Sequence, residues 1–174
     1  FHTHMFPDKI AARTIDFLSK TGGDMNPFTD GTWKGLKEST KQAGIDHSIV
    51  LPIATRPGQF HTINEFATHF QEGTLISFGS LHPESENYKE ELKQIQDMGM
   101  KGIKLHPDYQ DTYFNDIRYK RIISYATELG LIISVHAGRD PKCPDNIHCT
   151  PAMAEEVLNE VEPEKLVLAH MGGN

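Results

Sequence analysis

Short apolar runs alternate along this chain with stretches of helical periodicity. Ile49-Val50-Leu51 ends at Pro52, and Leu131-Ile132-Ile133 leads into His136. Runs this short, β-branched and bounded by Gly or Pro, predict buried strands. Between them, apolar side chains recur three and four apart. Ile10, Ala11, Thr14, Phe17 and Leu18 predict a helix over about 9–20, with Asp8 as its cap. An irregular loop over 21–31 follows, then a second helix over about 32–43 that stops at Gly44, and a strand within 45–53. The pattern then repeats. Ile63 to Phe70 is helical and ends at Gly73, and 74–82 is a strand. Tyr88 to Met98 is helical and ends at Gly99, and 101–106 is a strand. Tyr119 to Leu129 is helical and ends at Gly130, and 131–136 is a strand. Thr150, with Pro151 behind it, caps a helix whose apolar face is Ala154, Val157, Leu158 and Val161, and 166–170 is the last strand. His2-Thr3-His4 reads as the tail of a first strand, whose alternation turns both histidines to one face.

Six strands separated by helices recur at roughly the length of a βα unit. Near-continuous apolar strands fit a parallel sheet covered by helices. The fold is therefore α/β, either a barrel or an open doubly wound sheet. The sequence contains no GxGxxG and no GxxxxGK[ST], so the nucleotide-binding forms of the open sheet have no support. The histidines decide between the two. His2 and His4 end the first strand, and His82, His106, His136 and His170 end the third to sixth. A barrel brings those ends to one mouth, whereas an open sheet spreads them in a row.

Composition narrows the function. The 174 residues suffice for a single domain, read here as 1–174, and carry a net charge of −7. That balance argues against nucleic-acid and anionic-membrane partners, which call for clustered Lys and Arg. No apolar run approaches the roughly 20 residues that span a bilayer. Two cysteines, Cys143 and Cys149, are too few for a disulfide framework, so a reducing cytoplasmic setting is expected. With His148 they supply only three potential ligands and no CxxC pair, a poor metal site. His47, His61 and His69 lie off the strand ends. A lone strand-end histidine such as His82 or His106 is most often a satisfied polar group. The set His2, His4 and His136 is different: neutral imidazoles on rigid strands, two from one strand and one from across the mouth, are what a metal needs.

Four segments, HTHMFPD, KGIKLHP, ISVHAGRD and LVLAHMGGN, stand in an order and spacing that resembles the amidohydrolase superfamily. The branch it is most similar to is the second amidohydrolase family, with its metal-dependent hydrolases and aminocarboxymuconate-semialdehyde-decarboxylase-like enzymes. The resemblance implies a (β/α)8 TIM barrel with a divalent metal, zinc first and manganese or another divalent ion as alternatives. It implies His2, His4 and His136 as metal ligands and His170 as the catalytic histidine facing the metal-bound water or substrate. Lys104 and His106 share a face of the fourth strand and line the mouth; Arg139, three residues beyond His136, can grip a substrate carboxylate. The family adds an aspartate ligand on an eighth strand. This sequence holds about six strands where a complete barrel takes about 250 residues, so it reads as a barrel incomplete at its C-terminus.

The expected function is hydrolysis of an amide, ester or lactone bond of a small molecule by a metal-activated water. The alternative on the same site is non-oxidative decarboxylation of an unsaturated or aromatic carboxylic acid. A further alternative is a non-catalytic metal-binding fragment. The partner is a small molecule, with a carboxylate allowed for in either case, and a homo-oligomer is compatible with the sequence. No GxSxG is present, and Cys143 and Cys149 have no evident base beside them, so serine and cysteine hydrolases lack support.

Overall fold

The computed structural model describes residues 2–22, 26–71 and 73–173. Phe1 and part of the predicted 21–31 loop lie outside them. The elements run α1 (Asp8–Thr21), α2 (Trp33–Gln42), β1 (Ser48–Val50), α3 (Phe60–His69), β2 (Leu75–Ser77), β3 (Gly79–Ser80), α4 (Tyr88–Asp97), β4 (Gly102–Leu105), α5 (Ile117–Glu128), β5 (Ile132–Val135), α6 (Pro151–Val161) and β6 (Leu166–Leu168). Side-chain oxygens cap several helices, Thr150 as the sequence places it. Thr32 accepts from Gly35 N (3.0 Å), Asp116 from Arg118 N (2.8 Å) and Thr150 from Met153 N (3.3 Å). Asp8 does not cap α1. Pro7 occupies that position, and Asp8 lies in the first turn.

Every strand pairing is parallel. β1 pairs with β2, and β3, β4, β5 and β6 pair in that order. Thr3 adds a parallel bridge to Val50 on the other side of β1. Neighbours therefore follow chain order with no reversal, which is the wall of a (β/α)8 barrel and not a doubly wound sheet. The single strand predicted over 74–82 is divided. Phe78 N still bonds Val50 O (2.9 Å), whereas Gly79 and Ser80 pair with β4. Packing forces glycine here: a Cβ on Gly79 would lie 2.7 Å from Ile95 Cγ1, and one on Gly102 would lie 2.4 Å from Ile132 O.

The main core fills the space between β3–β6 and helices α3–α6. Leu92, Ile95, Ile103, Leu105, Tyr119, Ile122, Ile133 and Val135 are all completely buried there. A smaller cluster of Met5, Leu36, Val50 and Leu75 lies under α2. No described helix is long and apolar enough to cross a membrane. The sheet end that matters is the carboxyl end. There Gln110, buried in the loop after β4, ties three strand ends together. Its Nε2 donates to Ala54 O and Leu81 O (both 2.8 Å), and its Oε1 accepts from His106 N (2.9 Å) and Tyr119 Oη (2.7 Å).

Candidate metal centre

The first histidine pair is placed by one bridge. Thr3 N donates to Ile49 O (3.0 Å) and Leu51 N donates to Thr3 O (2.9 Å), holding the segment extended against β1. Alternation then turns His2 and His4 to one side, where their Nε2 atoms stand 3.0 Å apart. His4 Nδ1 lies 2.8 Å from Leu51 O. A carbonyl only accepts, so the proton of the neutral ring sits on Nδ1 and the Nε2 lone pair faces the mouth.

From this pair the rings continue across the mouth. His2 and His170 have centroids 5.0 Å apart, and His170 Nε2 lies 3.1 Å from His136 Nδ1. His136 stacks on His106 at 4.1 Å and 12°, and His106 stacks on Tyr109 at 4.0 Å and 14°. His2, His4, His106, His136 and His170 thus form one cluster drawn from four strand ends. His82 does not join it; its Nδ1 takes the Glu84 N–H (3.3 Å). His170 also departs from the predicted strand. β6 ends at Leu168, and His170 and Met171 adopt left-handed backbone, φ 56° and 57°, in a tight turn. Non-glycine residues hold that conformation at a cost, and such strain gathers at functional sites.

Lys104, on β4, acts electrostatically on His2, His4, His136 and His170. It is completely buried, and its Nζ has no hydrogen-bond partner. Burial alone pulls its pKa down to about 7. Burial first, then the Lys104 charge, hold His2 and His136 down to about 3. His106 is lowered further, by burial and then by His136. The cluster is therefore a set of neutral imidazoles with lone pairs available near pH 7. Tetrahedral ligands with bonds of roughly 2.0–2.1 Å stand about 3.3 Å apart, close to the two observed nitrogen pairs. Each pair thus has the spacing of neighbouring ligands on one divalent ion, but His2, His4 and His136 do not all come within 4.8 Å of one another.

Two carboxylates that are not among the residues expected from the sequence complete the site. Asp140 is buried, and its Oδ2 lies 3.5 Å from His136 Nε2 and 3.8 Å from His106 Nε2. Asp108 is buried as well; its Oδ2 lies 4.0 Å from His136 Nε2, and its Oδ1 lies 3.0 Å from His148 Nδ1. Burial raises the Asp140 pKa. Arg139 is exposed, whereas Asp140 beside it is buried. His148 is engaged with Asp108 and not with the cysteines. Among the described residues, the His, Cys, Asp or Glu group with mutual spacing of 4.8 Å or less is His106, His136 and Asp140. The signal for the carboxylates was present: Asp108 follows a strand-end histidine by two residues and Asp140 follows one by four.

A parallel barrel wall with histidines from successive strands at its mouth is the architecture of a metal-dependent barrel protein. A model of the amidohydrolase family matches residues 21–174, and the chain belongs to that family. Compared by sequence with curated proteins, it has no match. Compared with solved structures, it is similar to the IDCase of Metarhizium anisopliae in apo form, with a TM-score of 0.69 and 16% identity over 98% of this chain and 64% of that one. It is similar to a 2,6-dihydroxybenzoate decarboxylase complexed with 2,6-dihydroxybenzoate, with a TM-score of 0.68 and 15% identity over 97% of this chain and 65% of that one. A third is the 5-carboxyvanillate decarboxylase of Novosphingobium aromaticivorans complexed with manganese, with a TM-score of 0.62 and 12% identity over 83% and 51% of the two chains. The chain thus spans between about half and two thirds of these proteins' own length, and at such identities the likeness is one of fold.

Proposed function

We propose that this chain carries the metal-binding part of a metal-dependent hydrolase acting on a small carboxylated molecule, with His2, His4 and His136 holding a divalent ion. The observation that carries the reading is the ring of neutral histidines at the strand ends around the buried, unpartnered Lys104 Nζ. A bound divalent ion supplies Lewis-acid chemistry there, polarising a carbonyl and lowering the pKa of a coordinated water from 15.7 to about 7.

The chain's own groups do the rest. His170 Nε2 takes up or delivers the proton at the reacting atom; its position 3.1 Å from His136 keeps it at the mouth. Lys104 offers a cation with no internal partner, and a buried ammonium gains most from an anionic ligand. His106, buried with its two ring faces covered by Tyr109 and His136, braces the His136 ring at the mouth. Arg139, exposed beside the mouth, can take a second carboxylate bidentately.

A second reading is metal-dependent decarboxylation of an unsaturated or aromatic acid. The Lys104 cation, which has no internal hydrogen-bond partner, favours it. Two of the structures of similar fold, moreover, are decarboxylases named for carboxylated aromatics. Assay of the full-length protein against lactones, esters and amides of carboxylated aromatics separates the two. Release of the hydrolysed acid supports the hydrolase. Release of CO₂ with no hydrolysis product overturns it in favour of the decarboxylase.

A further inference from the structure

The nitrogen through which His136 meets the mouth is set by its surroundings. His136 Nε2 is buried and has no hydrogen-bond partner. Two carboxylate oxygens face it, Asp140 Oδ2 at 3.5 Å and Asp108 Oδ2 at 4.0 Å, and the second of these is also buried and unpartnered. Ionised carboxylates only accept, so a lone pair on Nε2 would stand against two negative oxygens in a site of low dielectric. A proton on Nε2 is strongly favoured, and the lone pair then lies on Nδ1, the nitrogen turned to His170. His106 follows the same rule. Its Nδ1 takes the Tyr109 N–H (3.4 Å), so its proton lies on Nε2, again toward Asp140 Oδ2.

Both carboxylates are themselves held. Asp140 Oδ1 accepts from Lys142 N (2.8 Å), and Asp108 Oδ1 meets His148 Nδ1 (3.0 Å) and, at 3.4 Å, His148 N. Lys142 Nζ lies 4.7 Å from the Tyr109 ring centroid and closes the stack Tyr109–His106–His136 from outside. A cation shared by His106, His136 and Asp140 is the competing account of the same atoms. The two imidazoles argue against it, because they are stacked at 12°. Lone pairs of parallel stacked rings run side by side and do not converge on one ion. The His106 tautomer also places a proton where such an ion would sit.

We propose that Asp140, seconded by the Asp108–His148 pair, is a positioning residue that fixes the tautomer and orientation of His136, so that Nδ1 is the nitrogen His136 offers to a metal. The metal arm of this proposal rests on His136 being a ligand, whereas the tautomer arm does not. The test is nitrogen-detected NMR of histidine-labelled, metal-free full-length protein, followed by titration with Zn²⁺ or Mn²⁺. The wild type is expected to show His136 protonated on Nε2. Asp140→Asn and Asp108→Asn are each expected to shift His136 toward the other tautomer. Each should weaken metal binding by about 10- to 100-fold at unchanged stoichiometry. His106→Ala should retain the ion. A wild-type His136 protonated on Nδ1 overturns the proposal without the need for any variant. Outright loss of the ion in both His106→Ala and Asp140→Asn overturns it in favour of a shared cation at those residues. If the wild type binds neither metal, the proposed function fails, and the tautomer still decides the positioning role.

Discussion

Gln110 is expected to be the residue on which the carboxyl rim most depends. Its amide joins the end of the β1 segment at Ala54, the end of the β3 segment at Leu81, the first residue past β4 at His106, and Tyr119 on α5. Gln110→Leu keeps the size and removes all four bonds. Ala54 O, Leu81 O, His106 N and Tyr119 Oη are then left in a dry rim. An orphaned buried polar group costs about 1–3 kcal/mol, so four of them cost about 4 kcal/mol at the low end. A domain is stable by only about 5–15 kcal/mol in total, so this is a large share. With a urea slope of about 2 kcal/mol/M, the unfolding midpoint should fall by about 2 M, read by circular dichroism or by the single tryptophan, Trp33. Gln110→Glu makes the cause specific. It retains the acceptor for His106 and Tyr119 but sets an oxygen against two carbonyls, so it should destabilise strongly at neutral pH and recover as the carboxyl is protonated in acid. A midpoint for Gln110→Leu within the equivalent of about 1 kcal/mol of wild type would refute the reasoning.

Two further outcomes follow from charge. Lys104→Met should stabilise the metal-free protein at pH 7 by a few kcal/mol, because the buried lysine titrates near 7 when folded and near 10.4 when unfolded. The unfolded chain holds more protons between those values, so wild-type stability should climb as pH rises from 7 to 10. Thermal melts of Lys104→Met should lack that climb, and the same variant should lose affinity for carboxylated ligands. At the start of α5, the Arg118 guanidinium holds Asp116 down to about 2. Its contribution is complete above the usual carboxyl pKa and fades as pH falls through about 2. Asp116→Ala should therefore cost about 1 kcal/mol at neutral pH, with the difference shrinking in acid melts.

The repeating strand–helix pattern was legible because its causes are local. Helix periods, stops at Gly99 and Gly130 with φ of 79° and 70°, and the threonine caps all act within a turn of the chain. The order of the strand-end histidines carried the barrel, and through it the juxtaposition of His2, His4, His136 and His170. What escaped was set by contacts distant in sequence. Nothing near Phe78 announces that the strand over 74–82 splits, since the split depends on Ile95 and Gly102 packing around it. Asp140 lies in a loop, and only the folded mouth turns it toward His106 and His136. Asp108 follows His106 by two residues, but the partner that holds it, His148, lies forty residues away.

The account stands on the mouth histidines binding a metal, and metal content of purified protein tests that most directly. Wild type should hold one divalent ion per chain by elemental analysis. His2→Ala and His136→Ala should each lose it, and His61→Ala, altered on α3 away from the mouth, should keep it. Full occupancy in His136→Ala would contradict the central claim.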